Sequence, residues 1–344
     1  MFCTKADLAK PVHIISDIDK TYLETAFESL TGLAKIAVET ADEKRTVDGA
    51  RVFLRHLKWG EGKLSEGILK GPPLHFVSSS PPQLRAVLEE KISMDALTWS
   101  SDSFKDQIYN LRTGKLKMLK HQVSYKLASI LSLVESFTNP QRLLLIGDNA
   151  ESDPFIFFIV KALLEKKMSF EQAPFFLSHL DVTPQVCEQI FSKLRLEHGY
   201  VQVDILIRNV KGVSEKVPEN IHGVVHFFDD YFQASLIACW MGYLEPNDLL
   251  QVLLSMHNYY GYDLNRGSSM MEFFFEEVAE FSDHESAFWD KLSSLRAMYG
   301  HPFLAVSDRE LLTRLKLSTT ITHPHTLSYE DFKSFFMHWV EGSD

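Results

Sequence analysis

The chain has 344 residues, enough for about two domains, and its 45% hydrophobic and 24% charged content is that of a globular protein with a sizeable core. A formal net charge of −11 argues against sequence-independent nucleic-acid binding, which needs clustered lysine and arginine, and gives no global attraction to an anionic membrane. Cys3, Cys187 and Cys239 are too scattered for a disulfide framework or a zinc knuckle, which points to a reducing compartment.

The opening MFCTKADLAK lacks the apolar core of a signal peptide, and no stretch approaches 18 apolar residues. A cytoplasmic protein, at most peripheral to a membrane, is expected. After Pro11, Val12–Ile15 reads as a buried strand and runs into Asp17-Ile18-Asp19-Lys20-Thr21. A helix follows over Asp48–Leu57, then a Gly- and Lys-rich linker over Trp59–Pro73. Leu74–Val77 is a second strand, ending in Ser78-Ser79-Ser80-Pro81. Next come a helix over Pro82–Lys91, a weaker strand at Ala96–Trp99 and a helix over Gln122–Phe137. Leu143–Ile146 forms a strand that ends at Gly147-Asp148, with Asp153 five residues beyond. A helix over Pro154–Lys167 and strands at Val201–Ile207 and Val224–Phe228 complete the series. Strands alternating with helices predict an α/β fold, a mostly parallel sheet with helices on both faces.

From about Ala234 the strands stop. Asn247–Met256, Met270–Phe281, Glu285–Met298, Asp308–Leu315 and Tyr329–Val340 read as helices, with Asn247 and Asp308 as N-caps and Ser328 with Asp331 as a capping box. The expected division is a catalytic domain over 1–233, carrying a helical insertion at about 168–198, and an all-α region over 234–344.

Ligands of an open α/β sheet sit beyond the carboxyl ends of its strands. There this chain places Asp17, Asp19, Thr21, Ser78, Asp148 and Asp153, with Lys126 in the first turns of a helix between the second and fourth strands. Crowded carboxylates repel one another unless a cation or proton intervenes. A Mg²⁺ ion suits such a set, because it takes a few carboxylates and keeps positions for phosphate oxygens. One aspartate can then attack phosphorus while a second protonates the leaving oxygen. A hydroxyl and a lysine hold the phosphoryl oxygens. The spacing of two between Asp17 and Asp19 puts nucleophile and acid/base on one loop. Taken singly each signal is weak: Asp-x-Asp-x-Thr can be a solvated loop, and Ser78-Ser79-Ser80 a turn and helix cap. Ser79 is the alternative to Ser78. Lys117 and Lys120 compete with Lys126, which is preferred because it opens the amphipathic run Leu127, Ile130, Leu131, Val134.

The order of these motifs resembles the haloacid dehalogenase superfamily of phosphotransferases, whose fold is a three-layer αβα, Rossmann-like sandwich. The stretches SDIDKT, HFVSSSPPQL, KLASIL, LLLIGDNAESDP and ILIRNV resemble, more narrowly, the catalytic domain of the actin-patch phosphatidate phosphatase family over about residues 11–230. Lys20, Asn149-Ala150 and Pro82 depart from its usual residues. The resemblance implies a Mg²⁺-dependent phosphatase acting on phosphatidate or a related phospholipid through an aspartyl-phosphate. Asp17 and Asp19 would be catalytic, Thr21, Ser78, Ser79 and Lys126 phosphate-binding, and Asp17, Asp19, Asp148 and Asp153 metal-binding. A phosphatase of a protein or small metabolite, or a non-catalytic binding protein on the same fold, is the alternative.

Overall fold

A computed structural model of the chain describes residues 11–24, 39–60, 71–78, 85–100, 122–192, 194, 199–211, 224–275, 309, 313 and 328–341. Ser79, Lys117, Lys120, Cys3 and the expected helix over Glu285–Met298 lie outside the described residues, as does nearly all of Asp308–Leu315.

Five strands form one sheet in the order β2-β1-β3-β4-β5: β1 (Val12–Asp17), β2 (Leu74–Val77), β3 (Arg142–Asp148), β4 (Gln202–Arg208) and β5 (His226–Phe228). β1 runs parallel to β2 and to β3, and β3 runs parallel to β4. All of β3 is buried, as a parallel strand covered on both faces must be. Its one basic entrant, Arg142, is offset by Asp204 at 3.0 Å. The strand expected at Ala96–Trp99 is absent. That stretch is turn and coil after α2 (Arg85–Met94), and Ala96 sits at φ 54, a left-handed conformation that ends regular extension.

Helices α3 (Gln122–Glu135) and α4 (Asp153–Leu164) share one apolar cluster with β1, β3 and β4. α4 is buried at 11 of its 12 positions; a helix apolar all round must be covered on every side. Lys161 and Glu165 make that burial possible by pairing at 2.6 Å, while Glu165 accepts the backbone N–H of Val203 at 2.9 Å. The stretch where a helical insertion is expected holds α5 (Ala173–Ser178) and α6 (Pro184–Phe191). The last helix, α10 (Tyr329–Glu341), completes this core: Phe332 lies 4.7 Å from the Phe158 ring and Phe336 lies 4.9 Å from Phe176. Ser328 and Asp331 cap it reciprocally, as the sequence predicts.

Residues 11–47, 72–227 and 327–344 pack as one unit, and 48–71 with 228–326 belong to the other. The second unit holds α1 (Ala50–Trp59), α7 (Tyr231–Trp240), α8 (Pro246–Tyr260) and α9 (Leu264–Phe273). α8 is capped by Glu245, in a box with Asp248, rather than by Asn247. Pro246 fixes the first helical position, so the cap falls one residue before it. α9 starts at Leu264 under the Asp263 cap, earlier than the expected Met270. Gly267 lets α9 meet Leu253 of α8, since a Cβ there would collide with that side chain. No helix among the described residues is long and apolar enough to cross a membrane.

Candidate active site

β1 has β2 on one side and β3 on the other, so the chain reverses its direction of winding between β1 and β3. In a doubly wound sheet the ligand crevice opens at that point. Asp17 ends β1 and Asp148 ends β3.

The loop after β1 folds back at once. The carbonyl of Ile18 accepts the N–H groups of Tyr22 and Leu23 at 2.9 and 2.8 Å, and Lys20 adopts φ 56. This turn sends Thr21 back to β3, where its hydroxyl donates to Asp148 Oδ2 at 3.2 Å. The loop is anchored by Tyr22, whose hydroxyl donates to Asp95. That carboxylate also takes Thr46 at 2.7 Å and Lys91 at 3.1 Å. On the neighbouring strand, Ser78 follows Val77, the partner of Asp17 in the sheet, and donates to Asp19 Oδ2 at 2.9 Å.

The loop after β3 is equally tight. Asp148 Oδ1 accepts the N–H of Ala150 at 2.7 Å. Asp153 opens α4, where the positive end of the helix dipole favours a carboxylate. Its side chain presses on the β3 end so closely that a Cβ at Gly147 would collide with Asp153 and Phe157. Lys126, buried on α3, donates to Asp153 Oδ1 and stands 2.7 Å from Asp17 Oδ1 and 3.9 Å from Glu151. The contact with Asp17 is one of charge, without hydrogen-bond geometry, so both carboxylate oxygens of Asp17 are buried and accept no hydrogen bond.

That accounting defines the electrostatics. Burial raises the Asp17 pKa well above the carboxylate range; Lys126 opposes this, and Asp153, Asp19 and Asp148 add to it. Asp148 is pushed up to about 7, first by burial and then by Asp153, against Lys126 and the Ala150 N–H. Burial works against the charge on Lys126, yet Asp153, Asp17 and Glu151 together hold its pKa above the ordinary lysine value. Burial also raises Glu151.

One oxygen each from Asp17, Asp148 and Asp153 can be chosen so that all three lie within 4.8 Å of one another, and all three residues are buried. Among the described residues this is the single such group. Oxygen donors at this spacing, one of them with no hydrogen-bond donor, fit a hard divalent cation. The fourth aspartate, Asp19, stands apart from that group on the Ser78 hydroxyl. The structure thus brings Asp17, Asp19, Thr21, Ser78, Lys126, Asp148 and Asp153 to one sheet edge.

Sequence reasoning passed over two residues at this edge. Glu151 is near Lys126, and its only signal is a further acid inside GDNAESD. Arg208 ends β4, and its guanidinium donates to the carbonyl of Lys20. The stretch ILIRNV reads only as a family-like strand, without a role for its arginine.

Residues 12–169 match the family model described as "Phosphatidate phosphatase APP1, catalytic domain". No curated protein and no solved structure matches the chain. The matched segment begins with β1 and contains every residue of the carboxylate group together with Thr21, Ser78 and Lys126. The match, over a little under half of the chain, agrees with the resemblance read from the sequence, and the family it describes is a phosphatidate phosphatase, a phosphoric monoester hydrolase.

Proposed function

We propose that the protein is a Mg²⁺-dependent phosphatidate phosphatase that works through an aspartyl-phosphate on Asp17. The observation that carries this reading is the state of the Asp17 carboxylate. Both oxygens are buried without a hydrogen-bond donor, beside Lys126 and next to Asp148 and Asp153. Its oxygens are unblocked by any hydrogen bond, and Lys126 supplies charge that favours the anionic nucleophile against burial and the neighbouring aspartates.

In the first step an oxygen of Asp17 attacks phosphorus and the bond to the glycerol oxygen breaks. Asp19 gives that oxygen a proton, releasing diacylglycerol. In the second step Asp19 takes a proton from water. The resulting hydroxide attacks phosphorus, the Asp17–phosphorus bond breaks, and inorganic phosphate leaves. Lys126, Thr21 and Ser78, with Ser79 as the alternative to Ser78, bind the phosphoryl oxygens. A bound Mg²⁺, held by Asp17, Asp148 and Asp153 near Asp19, would offset the crowded negative charge and stabilise that on the phosphoryl group. The all-oxygen donor set supports a hard cation over a thiophilic one. With no membrane-crossing helix among the described residues, this reading has the enzyme meet its lipid peripherally, from the cytoplasmic side.

The experiment is hydrolysis of phosphatidate in mixed micelles, with and without Mg²⁺, followed by acid quench and mapping of the phosphorylated residue. Mg²⁺-dependent release of phosphate and label on Asp17 are expected. Full turnover in excess chelator refutes the cation, and label on Asp19 reverses the two roles. Turnover of soluble phosphates alone transfers the reading to a metabolite or protein phosphatase.

A further inference from the structure

We propose that Arg208 is a positioning residue that holds the two catalytic loops in register, an inference that rests on the reading of Asp17 as nucleophile. Arg208 ends β4 and pairs in the sheet with Asp148. Its carbonyl accepts the N–H of Asn149 at 3.1 Å, and two residues later the N–H of Val210 donates to the Asn149 side chain at 2.7 Å. The end of β4 therefore grips the residue next to Asp148 from both its backbone and its side chain.

The guanidinium reaches the other way. It donates to the carbonyl of Lys20, which lies between Asp19 and Thr21. β4 is separated from β1 by β3, a span of about 9–10 Å at the usual strand spacing. Arginine is the side chain long enough to cross such a gap with a directed N–H.

Lys20 is also the residue that needs holding. At φ 56 it occupies the left-handed region, which is costly for a residue with a β-carbon. Relaxing to a negative φ would swing the Lys20 peptide, and with it Thr21 away from Asp148 and Asp19 away from Ser78. A bond that fixes the direction of the Lys20 carbonyl fixes this turn. Arg208 thus joins, through one residue, the loop bearing Asp17 and Asp19 to the loop bearing Asp148. The family match ends at residue 169, so nothing in it assigns a role to Arg208.

The test compares wild type, Arg208→Gln, Arg208→Lys, and Arg208→Gln in a Lys20→Gly background. The measurements are steady-state kinetics on phosphatidate micelles with Mg²⁺ and hydrogen–deuterium exchange of the peptide spanning residues 18–23. Misplacing reacting groups by about 1 Å costs on the order of 10²-fold. Arg208→Gln is expected to lower kcat by about that factor, with KM changed by less than about threefold and the thermal midpoint nearly unchanged. Arg208→Lys, which keeps the charge but loses the planar fork, should recover part of the loss. The Tyr22 and Leu23 amides should exchange faster in Arg208→Gln. In the Lys20→Gly background the left-handed turn is no longer strained, so the loss should shrink by about tenfold. A kcat within twofold of wild type, unchanged exchange, or an equal loss in both backgrounds overturns the proposal. If the wild-type protein turns over no phosphate ester, the reading of the site fails instead, and the exchange comparison still decides whether Arg208 holds the loop.

Discussion

Ser78 donates its hydroxyl to Asp19 at 2.9 Å, joining the end of β2 to the loop after β1. The residue expected to bind phosphate is thus, without substrate, the orienting partner of the proposed acid/base. The two roles are compatible, since a hydroxyl can turn from one acceptor to another.

The same bond ranks two substitutions. Asp19→Asn removes the proton donor, and general acid/base groups contribute about 10²–10⁴-fold. Its loss of kcat should be large on phosphatidate and smaller on an aryl phosphate, whose leaving group needs no proton. Ser78→Ala removes one hydrogen bond to a carboxylate, worth about 1.5–3 kcal/mol, and should cost roughly 10–100-fold on both substrates. Equal losses of Asp19→Asn on the two substrates would remove Asp19 from the acid/base role.

Asp17→Asn is expected to act in opposite directions on activity and stability. Turnover should vanish with the nucleophile. Without divalent cation, however, the substitution removes one of several mutually repelling buried carboxylates and leaves Lys126 its bond to Asp153. The chelator-treated variant should be more stable than wild type by about 1 kcal/mol, or roughly 2–4 °C in thermal midpoint. Differential scanning calorimetry in EDTA measures this, and a fall in midpoint contradicts the charge accounting.

The edge of the sheet was legible because three apolar runs stop at Asp17, Ser78 and Asp148, and strand ends are where a parallel sheet exposes its functional groups. What sequence could not supply is contact across the sheet. Nothing in ILIRNV says that Arg208 reaches past β3 to Lys20, and nothing in HFVSSS says which acceptor Ser78 takes. Helix α7 escaped for a different reason. YFQASLIACW is buried at nine of ten positions and has no polar face, so it lacks the 3.6-residue period that marks an amphipathic helix. The strand expected at Ala96–Trp99 was the converse error, a short apolar run whose burial serves a turn. The Glu245 cap was hidden because Asn247 is the better cap by residue type, while Pro246 decides the position.

Helix α10 is expected to contribute to the stability of the unit that holds the carboxylate group. Phe332 and Phe336 are fully buried against α4 and α5, although more than 150 residues separate them from those helices. Phe→Ala in a core costs about 3–5 kcal/mol. Phe336→Ala should lower urea stability by that amount, while Glu330→Gln, on the exposed side of α10, should change it by less than about 0.5 kcal/mol. A Phe336→Ala cost below about 1 kcal/mol would detach α10 from the core.

The carboxylate cluster predicts that Mg²⁺ stabilises the protein more at pH 8 than at pH 5.5. Asp148 is held near 7 in the folded protein against an ordinary 3.8, and Asp17 is raised as well, both first by burial. Between those values the folded state binds a proton that the unfolded state releases. That contribution is complete below about 3.8 and is lost as pH rises through about 7, so the cation-free protein weakens toward alkaline pH. His13 works the other way: burial lowers it to about 4 from 6.5, so stability is lost as pH falls through that interval. Comparing each pH with and without Mg²⁺ cancels the His13 contribution, because that half-buried residue, stacked on Phe137 at 3.7 Å, is not part of the carboxylate group. What remains is competition between cation and protons for the same oxygens. Each proton displaced on binding makes affinity rise by up to tenfold, about 1.4 kcal/mol, per pH unit below the carboxylate pKa. The Mg²⁺-induced rise in thermal midpoint should therefore be small at pH 5.5 and grow through pH 7 to pH 8. In Asp148→Asn the pH dependence of the Mg²⁺ effect should flatten. An equal Mg²⁺ effect at pH 5.5 and 8 in the wild-type protein would mean that cation and proton do not share these oxygens.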